Sequence, residues 1–511
     1  MQRVISKRQP RVALIGHIIT VPGKIFPTQS ERWGYNFNRV LQQDGSMIGH
    51  LEWLKMRMQL PSDDCFSVWE MFLNGPLVVK SHLEKSGIEV LLINHIDECN
   101  IKKRFEQIKD FAPEMICLGT TFILSPAQLN QAARLLRHEF PDIFIVAGGQ
   151  HIFTTLLHMN EKQKRSYLKA TSLNAFINDA QGQESLLQLI KQFPDKIESV
   201  PNLLYKNDSG EILETSRVPE NNDIDAPVDL RGIPEGSVIH LHSGRGCSFK
   251  CAFCSYPVIW GKRELMDIEN VIIMLKQAQS IGVKSVIFSD DTFNVPQNRF
   301  ASLLDRMIQL EIKIPWYSFL RCQFIDEVIV EKMRLSGCCG VFLGIESGAD
   351  QILENIGKGA SVEHYRRGIK WLKNAGITTV GSFVIGFPGE TQETLALTEE
   401  FIENAGLDYY FMQLFYYLHH TPIARDAEKY SLKGNGLLWS HSTMDWKEAS
   451  AQMNQIYLRS ATMPVHQDYN LWEIAFLESR GFDKAQINEY RGEIRKMTQA
   501  QMVADNRDRI S

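Results

Sequence analysis

The chain has 511 residues, 55 basic and 60 acidic side chains, a net charge of −5 and 44% apolar content. That length leaves room for about three domains with large cores, and the charge balance carries no polycation signature that would point to nucleic acid as main partner. No apolar run approaches the roughly 18 residues of a membrane span, and nine cysteines without a signal peptide fit a reducing, cytoplasmic setting better than a disulfide framework.

Residues 1–200 read as a first domain. Arg3, Lys7, Arg8 and Arg11 read as a solvated lead-in, and 12–16 as a short strand running into a loop. The stretch 17–70, with Trp33, Tyr35, Phe37 and Trp53, reads as an elaboration on the domain. Residues 75–87 have helical periodicity and a glycine stop. Strands follow at 90–94, 115–119 and 143–147, with helices at 105–111 and 128–140. The alternation predicts a Rossmann-like, doubly wound α/β domain whose ligands bind beyond the carboxyl ends of the strands. The loops Gly119-Thr120-Thr121 and Gly148-Gly149-Gln150-His151 lie at that edge. Residues 201–235 contain a strand-and-turn signal, then a stretch rich in Pro, Asp, Asn and Gly, and read as a linker.

The second domain, 236–425, opens with a strand at 238–242. Further strands are predicted at 285–289, 316–320, 340–344, 378–385 and 409–415, separated by helices at 268–281, 297–310, 326–336, 362–375 and 391–405. Six strands with helical crossovers predict a partial parallel (β/α)6 barrel. Residues 426–511 read as a helical C-terminal domain, helical throughout after 447.

The first barrel strand delivers Cys247, Cys251 and Cys254, spaced C-x3-C-x2-C, with Phe253 just before the last. Three thiolates hold three irons of a four-iron, four-sulfur cube and leave the fourth iron open to bind and reduce a small molecule. Such a triplet arises by chance in roughly 3 of 1,000 chains with nine cysteines in 511 residues. A zinc ribbon would want a fourth Cys or His close by, and none follows Cys254.

The cysteine loop resembles the signature of the radical SAM superfamily, and the flanking domains resemble its cobalamin-binding, methyltransferase-like branch, over roughly residues 75–425. The resemblance implies a four-iron, four-sulfur (4Fe-4S) cluster, S-adenosylmethionine and cobalamin as cofactors. It also implies a flavodoxin- or ferredoxin-type electron donor and a small-molecule substrate. Reductive cleavage of S-adenosylmethionine would release a 5′-deoxyadenosyl radical, chemistry that the cofactors carry and the protein positions. In this reading Phe253 sits near the adenine. Asp290 and Asp291 contact the methionine amino group or an active-site water, the alternative being helix capping. Arg321 binds the carboxylate or makes a structural ion pair. Glu346 and Ser347 face the ribose and methionine, and Gly386, in a Gly-Phe-Pro-Gly-Glu turn, lets backbone approach the adenine. All of these lie at the carboxyl ends of barrel strands.

For cobalamin the resemblance implies Gly119, Thr120, Thr121, Gly148, Gly149 and Gln150, with Gln181-Gly182-Gln183-Glu184 as a degraded form of a second turn. The D-x-H-x-x-G motif is absent, which implies cobalamin held without a histidine ligand; an empty domain is the alternative. The expected activity is methylation of an unactivated carbon, or of a phosphinate phosphorus, in a natural-product intermediate. Oxidative cyclisation or rearrangement, and a non-catalytic cobalamin or redox sensor, are the alternatives. Methylthiotransfer fits less well, because Cys65, Cys99 and Cys117 are scattered and read as buried small hydrophobes. Cys322, Cys338 and Cys339 read as core. His419, His420, His441, Trp439 and Met444 either line a substrate pocket or pack against the C-terminal helices.

Overall fold

The computed structural model describes residues 9–19, 39–41, 47–61, 64–123, 125–465 and 469–507. Arg3, Lys7, Arg8, Trp33, Tyr35 and Phe37 lie outside the described residues. The chain divides into two compact units. Among the described residues, 9–19, 61, 64–65 and 69–231 form the first, while 39–41, 47–60, 66–68 and 232 onward form the second.

The first unit is built on seven strands: β1 (Arg11–Ile18), β2 (Glu89–Ile96), β3 (Met115–Gly119), β4 (Phe144–Gly148), β5 (Ala175–Ile177), β6 (Leu203–Lys206) and β7 (Ile212–Glu214). Their order is β2-β1-β3-β4-β5-β6-β7; the first five run parallel and the last two antiparallel. The central strands are near-continuous apolar runs because both faces are covered. Ala13, Ile15, Ile116 and Ile145 enter one core, whereas Val12, Leu14, Cys117 and Val146 enter the other, as the period of two requires.

Several expectations change here. Arg11 is no solvated lead-in: its guanidinium pairs with Glu89 at 3.1 Å and lies 4.1 Å from the Phe111 ring centroid. The segment 201–214 is no linker, since Leu203, Leu204 and Tyr205 are buried in an antiparallel extension of the sheet. The residues after it are tied to the same unit, with Lys85 donating to the Pro227 carbonyl at 2.9 Å and Lys80 to that of Arg231 at 3.3 Å. Cys65 and Cys99 are not buried hydrophobes. Cys65 is half-buried, Cys99 is exposed in the turn after β2, and a disulfide joins them. Cys117 is buried as expected.

The second unit carries a parallel sheet of β8 (Val238–Leu241), β11 (Ser285–Phe288), β12 (Trp316–Leu320), β13 (Cys338–Glu346), β14 (Thr378–Ile385), β15 (Tyr409–Leu414) and β18 (Met463–Pro464), in that order. Three short antiparallel ribbons accompany it: Arg39–Leu41 with Met47–Gly49, β9 (Gly244–Arg245) with β10 (Glu264–Leu265), and β16 (Lys433–Asn435) with β17 (Leu438–Ser440). Helices cross between the six long strands, giving the expected partial barrel. Several of their starts are fixed by side-chain caps: Asp326 accepts from the Ile329 N–H, and Ser361 and Thr391 build capping boxes.

The region after 447 departs from the all-helical expectation. Helices Trp446–Arg459, Asn470–Ser479 and Lys484–Arg507 flank β18, a seventh strand paired with Tyr409 and Tyr410 of β15. A two-residue strand is too short to leave a period in the sequence. Trp53 stacks against Tyr490 with ring centroids 6.3 Å apart, so this part of the amino-terminal elaboration belongs to the second unit. No helix among the described residues is long and apolar enough to cross a membrane.

Candidate cluster site and cofactor-binding edge

The cysteine loop is closed at its base by the β9–β10 ribbon, in which Arg245 opposes Glu264. Gly246 starts the loop at φ +78, and a Cβ there would meet the Lys262 carbonyl oxygen at 2.5 Å, so the position accepts only glycine. Within the loop the Cys254 N–H donates to the Cys251 carbonyl at 3.0 Å. The Ala252 N–H donates to the Ile356 carbonyl at 2.7 Å, and the Ala252 carbonyl accepts from Ile423 at 2.9 Å. Cys251 is buried; Cys247 and Cys254 are half-buried.

Burial pushes the Cys254 thiol up to about 12, with Cys251, Asp291 and Cys247 adding to the rise. Such a thiol ionises only beside a cation, and bound iron supplies one. Three soft donors on one pinned loop fit an iron–sulfur cube; they would hold its irons and leave one iron free of protein ligands.

Arg321, immediately after β12, lies against this loop. Its Nη2 donates to Cys251 Sγ at 3.2 Å and its Nη1 to the Lys358 carbonyl at 2.9 Å, while the guanidinium lies 3.5 Å from the Phe249 ring centroid. A thiol, a carbonyl and an aromatic face hold it. Phe253 is half-buried and meets Phe387 edge to face at 6.5 Å, which links the cysteine loop to the Gly386 turn.

The neighbouring aspartates differ. Asp290 is buried; its Oδ2 accepts from the Ser243 N–H at 2.8 Å and its Oδ1 from Ser243 Oγ and Arg263 Nη2, each at 3.0 Å. It caps no helix and braces the start of the cysteine loop. Asp291 keeps an accessible carboxyl, yet dense surroundings push its pKa up to about 7, desolvation first, against the lowering effect of the Tyr256 hydroxyl, with Asp290 adding to the rise. An accessible edge on an otherwise shielded carboxyl accounts for both observations.

Glu346 ends β13 at φ 72, where the register with β14 shifts. Its Oε1 is 2.6 Å from Lys358 Nζ in a buried ion pair. Ser347 is fully buried, with Oγ 3.2 Å from Thr398 Oγ1 and accepting from the Ala349 N–H at 3.2 Å. Gly386, at φ +85, donates its N–H to Glu390 Oε2 at 2.5 Å and accepts from His441 Nε2 at 3.1 Å. A Cβ at this position would meet Trp439 at 2.3 Å. Trp439 stacks parallel to His441 and donates to the Phe415 carbonyl at 2.7 Å. Trp439 and His441 are therefore buried braces of the Gly386 turn, and Met444 is buried with its carbonyl accepting from the His441 N–H at 3.0 Å. His419 is exposed against the Tyr417 ring. Cys322 and Cys338 are buried, as expected of core residues.

Sequence reasoning missed Lys358, Arg263, Tyr256 and Phe249. Only Lys358 left a trace, as a lone cation in the Gly357-Lys358-Gly359 turn after a helix.

In the first unit, the carboxyl edge of the sheet carries the second predicted site. Gly119 and Gly148 are register partners, and a Cβ on Gly119 would meet the Gly16 carbonyl oxygen at 2.8 Å. Gly149 has φ +108 and opens the helix Gln150–Leu157. Thr120 is fully buried, and its N–H and Oγ1 both donate to the Gly148 carbonyl at 2.9 Å. It ties β3 to β4 and leaves Gly119, Thr121, Gly149 and Gln150 as the accessible rim. His151 is engaged with the Tyr167 hydroxyl at 2.9 Å. His17, absent from the sequence-based site, is buried at the end of β1 against Trp69, ring centroids 4.4 Å apart. A rim of close-approaching glycines fits a large planar ligand over strand ends.

A family model described as the radical SAM superfamily matches residues 241–402. The chain is 29% identical over 359 residues to an uncharacterized methyltransferase from Pyrococcus horikoshii, covering 67% of this chain and 73% of that one. Its fold matches the radical S-adenosylmethionine methyltransferase TsrM from Kitasatospora setae, solved with tryptophan substrate and a SAM analogue, at a TM-score of 0.63 and 15% identity, over 97% of this chain and 100% of that one. It also matches the cobalamin-dependent S-adenosylmethionine radical enzyme OxsB, at a TM-score of 0.53 and 17% identity, over 78% of this chain and 52% of that chain, so the chain spans about half of OxsB. The match begins at the last residue of β8 and takes in the cysteine loop and the strand ends through Gly386, so residues 241–402 carry a radical SAM domain, in a chain with the fold of TsrM and OxsB.

Proposed function

We propose that the chain is a cobalamin-dependent radical SAM methyltransferase acting on an unactivated carbon, or a phosphinate phosphorus, of a small-molecule substrate. The observation that carries the reading is the pinned loop of Cys247, Cys251 and Cys254 in a chain whose fold matches a radical S-adenosylmethionine methyltransferase over 97% of its length. When bound, the cluster and S-adenosylmethionine supply a carbon-centred radical, and cobalamin supplies a methyl donor. Cys247, Cys251 and Cys254 hold the cluster, and Arg321 orients Cys251. Asp291, the exposed member of the pair, would meet the methionine amino group or a water. Glu346, fixed by Lys358, sets the strand end where the ribose would lie. Phe253 and the Gly386 turn, linked through Phe387, form the adenine side. Gly119, Thr121, Gly149 and Gln150 form the cobalamin rim, with Thr120 holding it together. A flavodoxin- or ferredoxin-type donor reduces the cluster.

Anaerobic turnover with methyl-labelled S-adenosylmethionine, cobalamin and a reductant tests this reading. The expected result is 5′-deoxyadenosine together with a labelled product one methyl heavier than its substrate. Formation of 5′-deoxyadenosine with a product that has only lost hydrogens would replace methyl transfer by cyclisation.

A further inference from the structure

The first unit holds a second cysteine cluster that the proposed reaction does not use. His95 is the penultimate residue of β2, buried to 1% exposure. Asp97 follows in a turn that is already built: its Oδ1 accepts from the Cys99 N–H at 3.1 Å and the Asn100 N–H at 3.2 Å, while Asn100 Oδ1 accepts from the Asp97 N–H at 3.0 Å. Cys65 comes from a separate segment. Ligand atoms of Cys65, His95 and Asp97 all lie within 4.8 Å of one another, and Cys99 Sγ is 2.8 Å from Asp97 Oδ1.

We propose that in its reduced form the chain holds one zinc-type divalent cation at Cys65, His95, Asp97 and Cys99, and that the disulfide is the oxidised, metal-free state of the same site. Two thiolates, an imidazole and a carboxylate are a four-coordinate zinc donor set. Donor atoms around a tetrahedral zinc are about 3.3–3.8 Å apart. His95 Nε2 lies 3.3 Å from Asp97 Oδ2, and Cys65 Sγ and Cys99 Sγ lie 3.8 and 2.8 Å from Asp97 Oδ1, so the four groups are gathered to near that spacing while the disulfide holds the sulfurs together.

A structural disulfide needs neither of the other two groups. A carboxylate oxygen against a disulfide sulfur has no proton to accept; the contact is favourable with a thiol or with a cation between the two atoms. His95 Nε2 lies 3.0 Å from Asn100 Nδ2, a bond that the cation would replace, and His95 Nδ1 is buried with no partner among the described residues. Exposed disulfides open under the strongly reducing conditions that a radical SAM cluster requires.

The conversion balances. A dithiol reductant passes two electrons and two protons to the Cys65–Cys99 disulfide and becomes a disulfide itself. The two thiols then bind the cation with loss of two protons. In either state the segment at Cys65 stays stapled to the end of β2, by metal when reduced and by sulfur when oxidised.

The test uses the intact, cluster-loaded chain, purified anaerobically under a dithiol, with iron and zinc measured together. The expected result is about one zinc per chain beside the cluster iron, lost in Cys65→Ser, Cys99→Ser and His95→Gln while the iron and the cluster absorption stay. A small-molecule disulfide oxidant should release that zinc to a chromophoric chelator as two thiols disappear. As a second readout, Co2+ in place of zinc should give a thiolate-to-metal charge-transfer band. Absence of zinc and of that band in the reduced wild type, or zinc that persists in both serine variants, overturns the proposal. Neither outcome bears on methyl transfer, which the turnover assay reads separately.

Discussion

Arg321 donates a hydrogen bond to Cys251 Sγ at 3.2 Å with its guanidinium stacked over Phe249. Hydrogen bonds to cluster sulfur ligands raise the reduction potential. Arg321→Leu removes the donor and the positive charge, so the cluster potential falls. Arg321→Lys keeps the charge but loses the planar fork, and lies between the two. An anaerobic redox titration followed by electron paramagnetic resonance measures the order; a potential unchanged in Arg321→Leu would contradict it.

The buried Lys358–Glu346 pair fixes the end of β13. Removing one partner leaves a buried charge uncompensated, at about 3–5 kcal/mol, whereas replacing both with apolar groups is much less costly. Lys358→Met should lower the thermal unfolding midpoint and weaken S-adenosylmethionine binding. Lys358→Met with Glu346→Leu should recover the midpoint without recovering the binding. Recovery of both would take Glu346 out of the binding site.

At Gly386 the backbone is left-handed and the space above it is filled by Trp439. Gly386→Ala should give little folded protein. Trp439→Ala vacates a large buried side chain and should cost about 3–5 kcal/mol. Combining Gly386→Ala with Trp439→Ala should be less damaging than the sum, because the two indole contacts go, while the approach to Ala449 Cβ at 2.8 Å and the positive φ keep part of the cost. Additive losses in denaturant titrations would contradict this packing.

Glu390 is fully buried, and desolvation pushes its pKa up to about 8 against the lowering effect of the Gly386 and Phe387 N–H groups. Between its ordinary 4.5 and about 8 the unfolded chain has lost this proton while the folded chain keeps it. Stability therefore falls as pH rises through that window, and the penalty is complete above pH 8. Glu390→Gln has no such slope and should exceed the wild type in stability above pH 8 by on the order of a few kcal/mol. Parallel stability–pH curves for the two proteins would contradict the assignment.

The elements legible in the sequence were those on which burial of one or both faces imposes a clear period; the helices Gln150–Leu157, Glu161–Lys169 and Gln183–Gln192 went unread. The barrel strands, the first four strands of the first unit and the crossover helices carry that signal. The three-residue β5 and the two-residue β18 are too short to carry it, and the strand-and-turn signal at 201–210 was read as part of a linker because of the Pro-, Asp-, Asn- and Gly-rich stretch after it. The cysteine triplet was legible because its spacing is local, and Gly386 because a positive φ demands glycine. Lys358 reaches the site from a distant segment, and Tyr256 and Arg263 follow the cysteine loop by two and nine residues; in each case a single residue leaves no pattern. The pairing of Cys65 with Cys99 was hidden for the same reason. Trp439 and His441 showed their composition but not their direction, and burial decided between pocket and brace.

The claim on which everything else rests is that three cysteines hold a cube with one iron free to bind S-adenosylmethionine. Electron paramagnetic resonance of the anaerobically reduced chain, recorded with and without S-adenosylmethionine, tests it most directly. The account predicts a cluster signal whose shape shifts on adding S-adenosylmethionine, and its loss when Cys247, Cys251 and Cys254 are replaced by alanine. A cluster signal indifferent to S-adenosylmethionine, or one that survives the triple replacement, would contradict it.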